Sequence, residues 1–266
     1  MVRDGYDRFD DDDRDVPRRA AKSGSVMALP VILGITAVVL LAVCGGGIYL
    51  IVRGVQRAAE GIGAGMAQFG ETATASANAE QIAEGLQEYE KANGRFPPPY
   101  LKTKDGKPGL SWRVAILPFL DEDELFKKFK LDEPWDSPTN KPLLDDMPEC
   151  FSGPKSAGAQ STHFRVFVGK RTLFDPARNG VRVADVTDGL ANTIMIVEAE
   201  QAVLWTKPEE LDYDANRPLP ALRRTMLGSL MIAADGQTHY LQPSDSEATI
   251  RALITIDDGV PVQPAW

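Results

Sequence analysis

The feature that most constrains this chain is a stretch without charge near its amino end. From Ser23 to Val52 there is no Asp, Glu, Lys, Arg or His, and residues 27–52 are mainly Leu, Val, Ile, Ala and Gly. As a helix this segment would be about 39 Å long, enough to cross a hydrocarbon core of about 30 Å with some tilt. The sequence therefore predicts a transmembrane helix at residues 27–52, in contact with the lipid bilayer.

A cleaved signal peptide and a buried helix of a soluble domain are the alternatives. A signal peptide has an apolar region of about 7–15 residues and a small-x-small cleavage site, so the longer span is interpreted as an uncleaved anchor. The charges that flank it are Arg14, Arg18, Arg19 and Lys22 before the span and Arg53 and Arg57 after it. The positive-inside rule then predicts a single-pass protein of the cell membrane with a periplasmic or otherwise extracytoplasmic carboxyl-terminal domain.

Charge and cysteine content limit which partners the chain can bind and which disulfides it can form. Residues 1–26 are predicted to be a disordered, charged cytoplasmic tail, because the run from Asp10 to Asp15 is typical of solvated arms. The chain has a net charge of −9, which argues against a nucleic-acid partner, since phosphate binding needs a basic face. Cys150 is the only cysteine after the span, so no disulfide within the exported part is expected.

Helical periodicity continues beyond the anchor. Two apolar stripes follow each other, at Val55, Ala59, Ile62, Met66 and Phe69 and then at Ile82, Leu86 and Tyr89. Asn93-Gly94 supplies a left-handed helix end, and Pro97–Pro99 prevent continuation. We predict an extended helical stalk at residues 53–94 and an exported α+β domain at residues 95–266. Such stripes are typical of core contacts, with a partner-helix surface as the alternative.

The carboxyl-terminal part reads as short helices and an antiparallel sheet. Asp121–Lys130 has acidic residues first and lysines last, as a helix favours, whereas Ser111–Leu120 fits a helix or a strand. Strand-forming runs are Thr162–Val168, Thr193–Ala199 and Leu227–Ala233. Asp235-Gly236 predicts a two-residue hairpin turn. Ser244 and Glu247 have capping-box spacing before a last short helix. The fold class predicted is α+β.

Each catalytic or metal-binding arrangement is weak or missing in the sequence. There is no Gly-x-Ser-x-Gly elbow, Walker loop, His-Glu-x-x-His, Cys-x-x-Cys or dinucleotide-binding glycine motif. A Cys150–His163 nucleophile pair stays open because such partners meet only in the fold. Asp185 and Asp188 cluster oxygen donors of the kind that Ca²⁺ prefers, without EF-hand spacing. Asp235 and His239 would complete a metal-assisted site only if they converged with that pair. We expect no enzymatic activity, cofactor or metal.

Two resemblances appear at this point. The segment Tyr89–Pro97 resembles the Tyr-x-x-x-Asn-Gly-x-Phe-Pro pattern of type IV pilins and of type II secretion pseudopilins. Six ordered blocks look like the planctomycete family known as domain of unknown function 1559, whose members are described as prepilin-type proteins with a His-x9-Asp-Gly motif. The blocks are Leu110–Leu144, Phe164–Gly169, Val186–Ala199, Trp205–Leu211, Ala233–Leu241 and Ile250–Thr255. The resemblance implies a pilin-like exported domain without an established enzymatic activity.

Departures from the family pattern favour a permanently anchored relative. Ser25–Ala28 stands where relatives carry a Gly-Phe-Thr-Leu-x-Glu cleavage site, no Glu lies inside the span, and the His position of the motif is Thr225. We therefore expect a pseudopilin-like protein of protein–protein, envelope or secretion assembly, with self-association left open. The alternative is a membrane-tethered ligand-binding module. Its candidate aromatic platforms are Trp112, Trp135 and Trp205.

Overall fold

The computed structural model describes residues 28–153 and 158–260. The first helix, α1, spans Ala28–Asn93. Before residue 63 of α1, only Arg57, Glu60 and Gly61 are described beyond the backbone. The chain divides into two compact units, residues 1–61 and 62–266. The predicted tail at 1–26 and the side chains of the predicted span at 27–52 lie outside what is described. Within the part that is described, no helix is both long enough and apolar enough to cross a bilayer.

Helix α1 ends where the sequence predicts. Gly94 adopts a φ of +69°, and its N–H donates to the carbonyl of Glu90 over 2.7 Å. The side-chain amide of Asn93 donates to the carbonyl of Tyr89 over 2.8 Å. Glycine reaches this left-handed conformation without a Cβ clash, so the prediction of a stop at Asn93-Gly94 is confirmed.

The second apolar stripe of α1 is part of the core, and the end of the first is not. Ile82 and Leu86 are fully buried, and half-buried Tyr89 meets Phe119 edge-on with ring centroids 5.6 Å apart. In contrast, Met66 and Phe69 are 73% and 58% exposed. Among the described side chains of α1, the first buried one is at residue 72. Residues 62–93 of the predicted stalk lie in the same compact unit as residues 95–266.

The rest of the unit is built from short strands and helices. The strands are β1 (Tyr100–Lys102), β2 (Pro108–Ser111), β3 (Ser161–Arg165), β4 (Phe167–Val168), β5 (Ile194–Leu204), β6 (Leu211–Asp212), β7 (Ser229–Ala233) and β8 (Thr238–Leu241). The helices after α1 are α2 (Trp112–Ala115), α3 (Asp123–Lys128) and α4 (Glu247–Ile254). The main sheet has the order β3-β5-β7-β8 with antiparallel pairing throughout. The predicted α+β class with an antiparallel sheet and short helices is confirmed, while a parallel pair, β4 with β6, was not predicted.

Both faces of the main sheet are covered. Along β7, Leu230 and Ile232 face the core that contains α1, whereas Met231 and Ala233 face a second core that contains Leu253 of α4. This alternation follows from the two-residue period of a strand. A strand buried on both faces reads as a continuous apolar run rather than as alternation, which explains the wholly apolar Leu230–Ala233.

The β7–β8 hairpin has a three-residue loop, Ala234–Gly236, rather than the predicted two-residue turn. The N–H of Ala233 donates to the carbonyl of Gln237 over 3.0 Å, and Ile232 pairs with Thr238. Gly236 has a φ of +89°, the left-handed position that closes three-residue hairpins. The Asp-Gly pair therefore marks the hairpin correctly, although the turn extends back to Ala234.

Several boundaries shift by one or two residues from those predicted. Helix α3 is shorter than the predicted Asp121–Lys130, since Asp121 has a φ of +59° outside the helix. Helix α4 is capped by Ser246, whose hydroxyl accepts from the N–H of Thr249 over 3.0 Å, and not by Ser244. The ambiguous segment Ser111–Leu120 folds as α2 followed by a 3-10 turn at Leu117–Phe119.

Candidate functional site

The carboxylates considered for a metal site, Asp185 and Asp188, bond to different partners. Asp185 accepts two hydrogen bonds from the guanidinium of Arg182, at 2.7 and 3.1 Å. Asp188 accepts from the backbone N–H groups of Asp258 at 2.7 Å and Gly259 at 3.0 Å, and so holds the segment that follows α4. Across residues 28–153 and 158–260, no group of three or more His, Cys, Asp or Glu side chains is placed to hold a metal ion. Asp235 and His239 belong to the hairpin and join no such group.

The burial of Cys150 does not favour a Cys150–His163 nucleophile pair. Cys150 is buried, and this burial raises the pKa of its thiol to about 12. The reactive thiolate is therefore scarce near neutral pH. His163 places Nδ1 2.8 Å from the carbonyl oxygen of Ala199, and its buried Nε2 has no hydrogen-bond partner among the described residues. Since a carbonyl only accepts, Nδ1 carries a proton in this contact.

The predicted tryptophan platforms are wrong for two of the three residues. Trp112 and Trp205 are 0% exposed. Trp205 stacks on Phe151 with ring centroids 5.8 Å apart, and its indole N–H donates to the carbonyl of Leu144 over 3.1 Å. Trp135 is half-buried beneath Lys207, whose Nζ lies 5.8 Å from the ring centroid. Because aromatic rings have a large apolar area, burying Trp112 and Trp205 in the core stabilises the fold.

The most unusual polar feature is a buried ion pair that sequence reasoning missed. Arg113 and Glu210, with side chains 0% and 4% exposed, join through N–O distances of 2.7 and 3.2 Å. The guanidinium also donates to the carbonyl of Phe164 at 2.5 and 3.1 Å, and the carboxylate accepts from the N–H of Val166 over 3.0 Å. Burial lowers the pKa of Arg113 and raises that of Glu210, and each partner opposes the other's shift.

This pair is inaccessible, so it organises the fold and does not contact a ligand. It links α2 to β3 and to the segment before β6, three parts of the chain that are far apart in sequence. One signal was available: Arg113 is the only charged residue between Leu110 and Leu120. A lone charge in an apolar run indicates a buried partner, but nothing in the sequence points to Glu210 as that partner.

Two surface concavities remain as candidate sites. The first, which we call the α4 pocket, has a volume of about 410 Å³ and is lined by apolar and proline residues together with the polar residues Arg224, Ser229, Gln242, Asp245 and Glu247. The exposed Arg224 has no hydrogen bond or ion pair within the described part of the chain.

The second concavity, the α1–β8 groove, lies between helix α1 and the β7–β8 hairpin. It consists of two cavities of about 330 and 440 Å³ that share Glu80. Its walls are Phe69, Ala73, Ser76, Glu80, Glu84 and Gln87 on α1, and Leu227, Asp235–Thr238 and Tyr240 opposite them. One end of the groove is apolar and the other is acidic. Neither the groove nor the α4 pocket was predicted, because each joins segments that are distant in sequence.

The comparisons with known proteins give one result. Residues 72–157, about a third of the chain, match the model of a family described as "Protein of unknown function (DUF1559)". No curated protein and no solved structure matches the chain. The matched region runs from the buried part of α1 through α2 and α3, and it contains Arg113. The resemblance to the family of domain of unknown function 1559 is thereby confirmed over residues 72–157, which contain the block Leu110–Leu144.

Proposed function

We propose that this protein is a single-pass, membrane-anchored and pseudopilin-like protein, which presents its residues 62–266 outside the cytoplasm for protein–protein contacts in envelope or secretion assembly. The observation that carries the proposal is helix α1. It begins at Ala28, within the uncharged stretch, and its residues from 72 onward pack in the core of the second unit. One helix that serves both as anchor and as core element is the arrangement implied by the pilin resemblance.

The chemistry of the second unit also supports a role in assembly rather than catalysis. The groups that sequence reasoning considered for catalysis are engaged in structural bonds, as with Asp185 and Asp188, or buried, as with Cys150. The features that stay accessible to a partner are surface concavities, above all the α1–β8 groove. We therefore propose that the protein acts by binding and is not an enzyme.

Membrane extraction tests the anchor. Full-length protein with a carboxyl-terminal tag should stay in the membrane fraction after alkaline carbonate washing, and the tag should be digested by protease added to spheroplasts. Val39→Asp with Leu40→Asp should release it, because each charge at the centre of a span costs about 2.5–3.5 kcal/mol. The matched control is Ala64→Asp with Ala67→Asp, which adds the same charge to exposed positions of α1. Extraction of the wild-type chain, or cleavage near Ala28, would overturn the anchor.

A second candidate function, a tethered ligand-binding module, rests on the α4 pocket. Its volume of about 410 Å³ falls in the range of small-molecule sites, which are mostly apolar with a few polar groups. The unpaired guanidinium of Arg224 favours an apolar ligand with a carboxylate. A thermal-shift screen of medium-chain fatty acids tests this: stabilisation that Arg224→Gln abolishes supports the module, and no stabilisation by any of them excludes this ligand class.

A further inference from the structure

The α1–β8 groove follows one face of α1, and the hydrogen bond from Thr238 to Glu80 over 2.6 Å crosses it where its two cavities meet. The residues of α1 that line it, from Phe69 to Gln87, recur at spacings of three and four residues and so form one stripe along the helix. The 18 residues between these two positions correspond to about 27 Å of helix at about 1.5 Å per residue. A groove of that length corresponds to about eight residues of extended chain at about 3.3 Å each. A polypeptide segment fits such a groove better than a small molecule does.

The apolar end of the groove exposes large side chains to solvent. Phe69 and Leu227 line it with exposures of 58% and 40%. Met66, one turn before Phe69, is 73% exposed, and Met226, beside Leu227, is 53% exposed. Single exposed apolar residues are ordinary, but a group of them beside a concavity marks a binding surface. This end suits an apolar side chain of a partner.

The other end of the groove carries uncompensated negative charge. Glu80, Glu84 and Asp235 line it, and no Lys or Arg does. Within the described residues none of the three forms an ion pair, although Glu80 accepts a hydrogen bond of 2.6 Å from the hydroxyl of Thr238. They are not placed as a metal site. Charge complementarity therefore favours a basic partner.

Strand β8 offers main-chain hydrogen-bonding groups along the same groove. In the described part of the chain it pairs with β7 on one side and with no strand on the other. Because Gln237 bonds to Ala233 across the hairpin, the alternation of an antiparallel ladder turns the main-chain groups of Thr238 and Tyr240 away from β7. The carbonyl of Tyr240 accordingly accepts from the side chain of Gln242 over 3.0 Å. An open edge of this kind is where an extended segment adds as a further strand.

We propose that the α1–β8 groove binds an extended, Lys- or Arg-rich segment of a partner protein, which pairs with the edge of β8 and inserts an apolar side chain beside Phe69. This inference rests on the proposed function and gives the assembly role a partner of defined chemistry. A second copy is disfavoured as the occupant. It would bring the same acidic stripe, and the basic cluster at residues 14–22 lies on the far side of the membrane in the proposed topology.

A peptide titration tests the groove with full-length protein in detergent micelles. The probe is a fluorescein-labelled peptide of about ten residues that alternates Lys and Thr around one Leu, and its anisotropy reports binding. Glu80→Gln, Glu84→Gln and Asp235→Asn combined should weaken binding by about tenfold or more, since about 1.4 kcal/mol of lost attraction suffices. The control, Asp123→Asn, Glu124→Gln and Asp136→Asn, removes three exposed carboxylates outside the groove and should bind as the wild type does.

Further arms address the apolar contact and the main-chain pairing. Phe69→Ser with Leu227→Ser should weaken binding about tenfold, and so should N-methylation of alternate peptide bonds in the probe, which removes donors without changing side chains. Thermal melting checks that every variant folds. The proposal is overturned if the groove and control variants bind the peptide equally, or if spermidine competes as well as the unlabelled peptide does. It is also overturned if the protein forms a dimer that Phe69→Ser with Leu227→Ser dissociates. Carbonate extraction of the protein would instead refute the anchor and leave the peptide result standing.

Discussion

Arg113 and Glu210 lie 97 positions apart in the chain and meet in the interior of the second unit. Removing charged groups from water is expensive, and it is offset only when their remaining hydrogen bonds are satisfied. Here the carbonyl of Phe164, the N–H of Val166 and the hydroxyl of Ser111 supply these hydrogen bonds. At the scale of the residue, this pair joins distant segments of the chain, and so does Asp188 through the N–H groups of Asp258 and Gly259.

Breaking the buried pair should be costly, and replacing it whole should be less so. Arg113→Met leaves Glu210 buried without its partner and should lower the free energy of unfolding by about 3–5 kcal/mol, whereas adding Glu210→Leu should restore much of that loss. Lys91→Met, which breaks the exposed pair with Glu88, is the control and should cost less than about 1 kcal/mol. Thermal melting in detergent measures all three variants. Equal effects of Arg113→Met and Lys91→Met would contradict the structural role of the pair.

The thiol of Cys150 should be inert in the folded protein. With a pKa of about 12, only about one thiol in ten thousand is ionised near pH 8, and the thiolate is the reactive form. A Cys44→Ser variant leaves Cys150 as the only thiol. We expect a maleimide dye to label it slowly in the native state and rapidly after unfolding in dodecyl sulfate. Rapid native labelling would reopen Cys150 as a nucleophile.

At the scale of the element, short helices in this protein depend on caps and on packing more than on length. Helix α4 has only eight residues, and an isolated helix that short is marginal in water. Its cap at Ser246 and the burial of Leu253 and Ile254 against the sheet stabilise it. The capping-box spacing in the sequence points to Ser244, and the path of the chain after β8 places the cap at Ser246 instead.

The cap can be tested with a matched pair of variants. Ser246→Ala removes the acceptor for the N–H of Thr249 and should cost about 1 kcal/mol of stability. Ser244→Ala, two residues earlier, should be close to neutral, because its side chain makes no such bond to α4. Melting temperatures of the two variants provide the comparison. A larger loss from Ser244→Ala would place the helix start where the sequence first suggested it.

At the scale of the whole molecule, the last part of α1 is inseparable from the unit that follows it. Ile82 and Leu86 are fully buried, and together with Ala75 and Ala79 they belong to the same core cluster as Ile196 and Ile232 of the main sheet. The sequence placed these residues in a stalk at 53–94, ahead of a domain at 95–266. The structure instead divides the chain after residue 61. Residues 62–266 should therefore contain everything that this unit needs to fold.

Truncation separates the two boundaries. A fragment of residues 62–266 should unfold in one cooperative thermal transition. A fragment of residues 95–266 should not, because each large core side chain lost costs about 2–5 kcal/mol, whereas a whole domain is stable by only about 5–15 kcal/mol. Circular dichroism melting measures both. Cooperative unfolding of the shorter fragment would show that the domain folds without α1.

Much of the local structure was predictable because its causes are local. The helix end at Gly94, the hairpin at Asp235-Gly236 and a final short helix each follow from backbone preferences within a few residues. The loop length of the hairpin, the cap at Ser246 and the pairing of β4 with β6 were not predictable, since each depends on what the neighbouring chain packs against. For the candidate sites the sequence supplied residues such as Trp112 and Asp188 whose roles proved structural, and it missed both concavities.

The sequence by itself determined the uncharged stretch at 23–52, the approximate places of α3, α4 and the main-sheet strands, and the family blocks, because periodicity, charge and turn chemistry act along the chain. Only the tertiary structure decided which apolar residues are buried and which stay exposed. It pairs Arg113 with Glu210, covers Trp205, and leaves Phe69 and Leu227 facing water beside Glu80 and Glu84. The physical reason is that burial and charge pairing depend on contacts between segments far apart in sequence, and those contacts exist only once the sheet and α1 have come together.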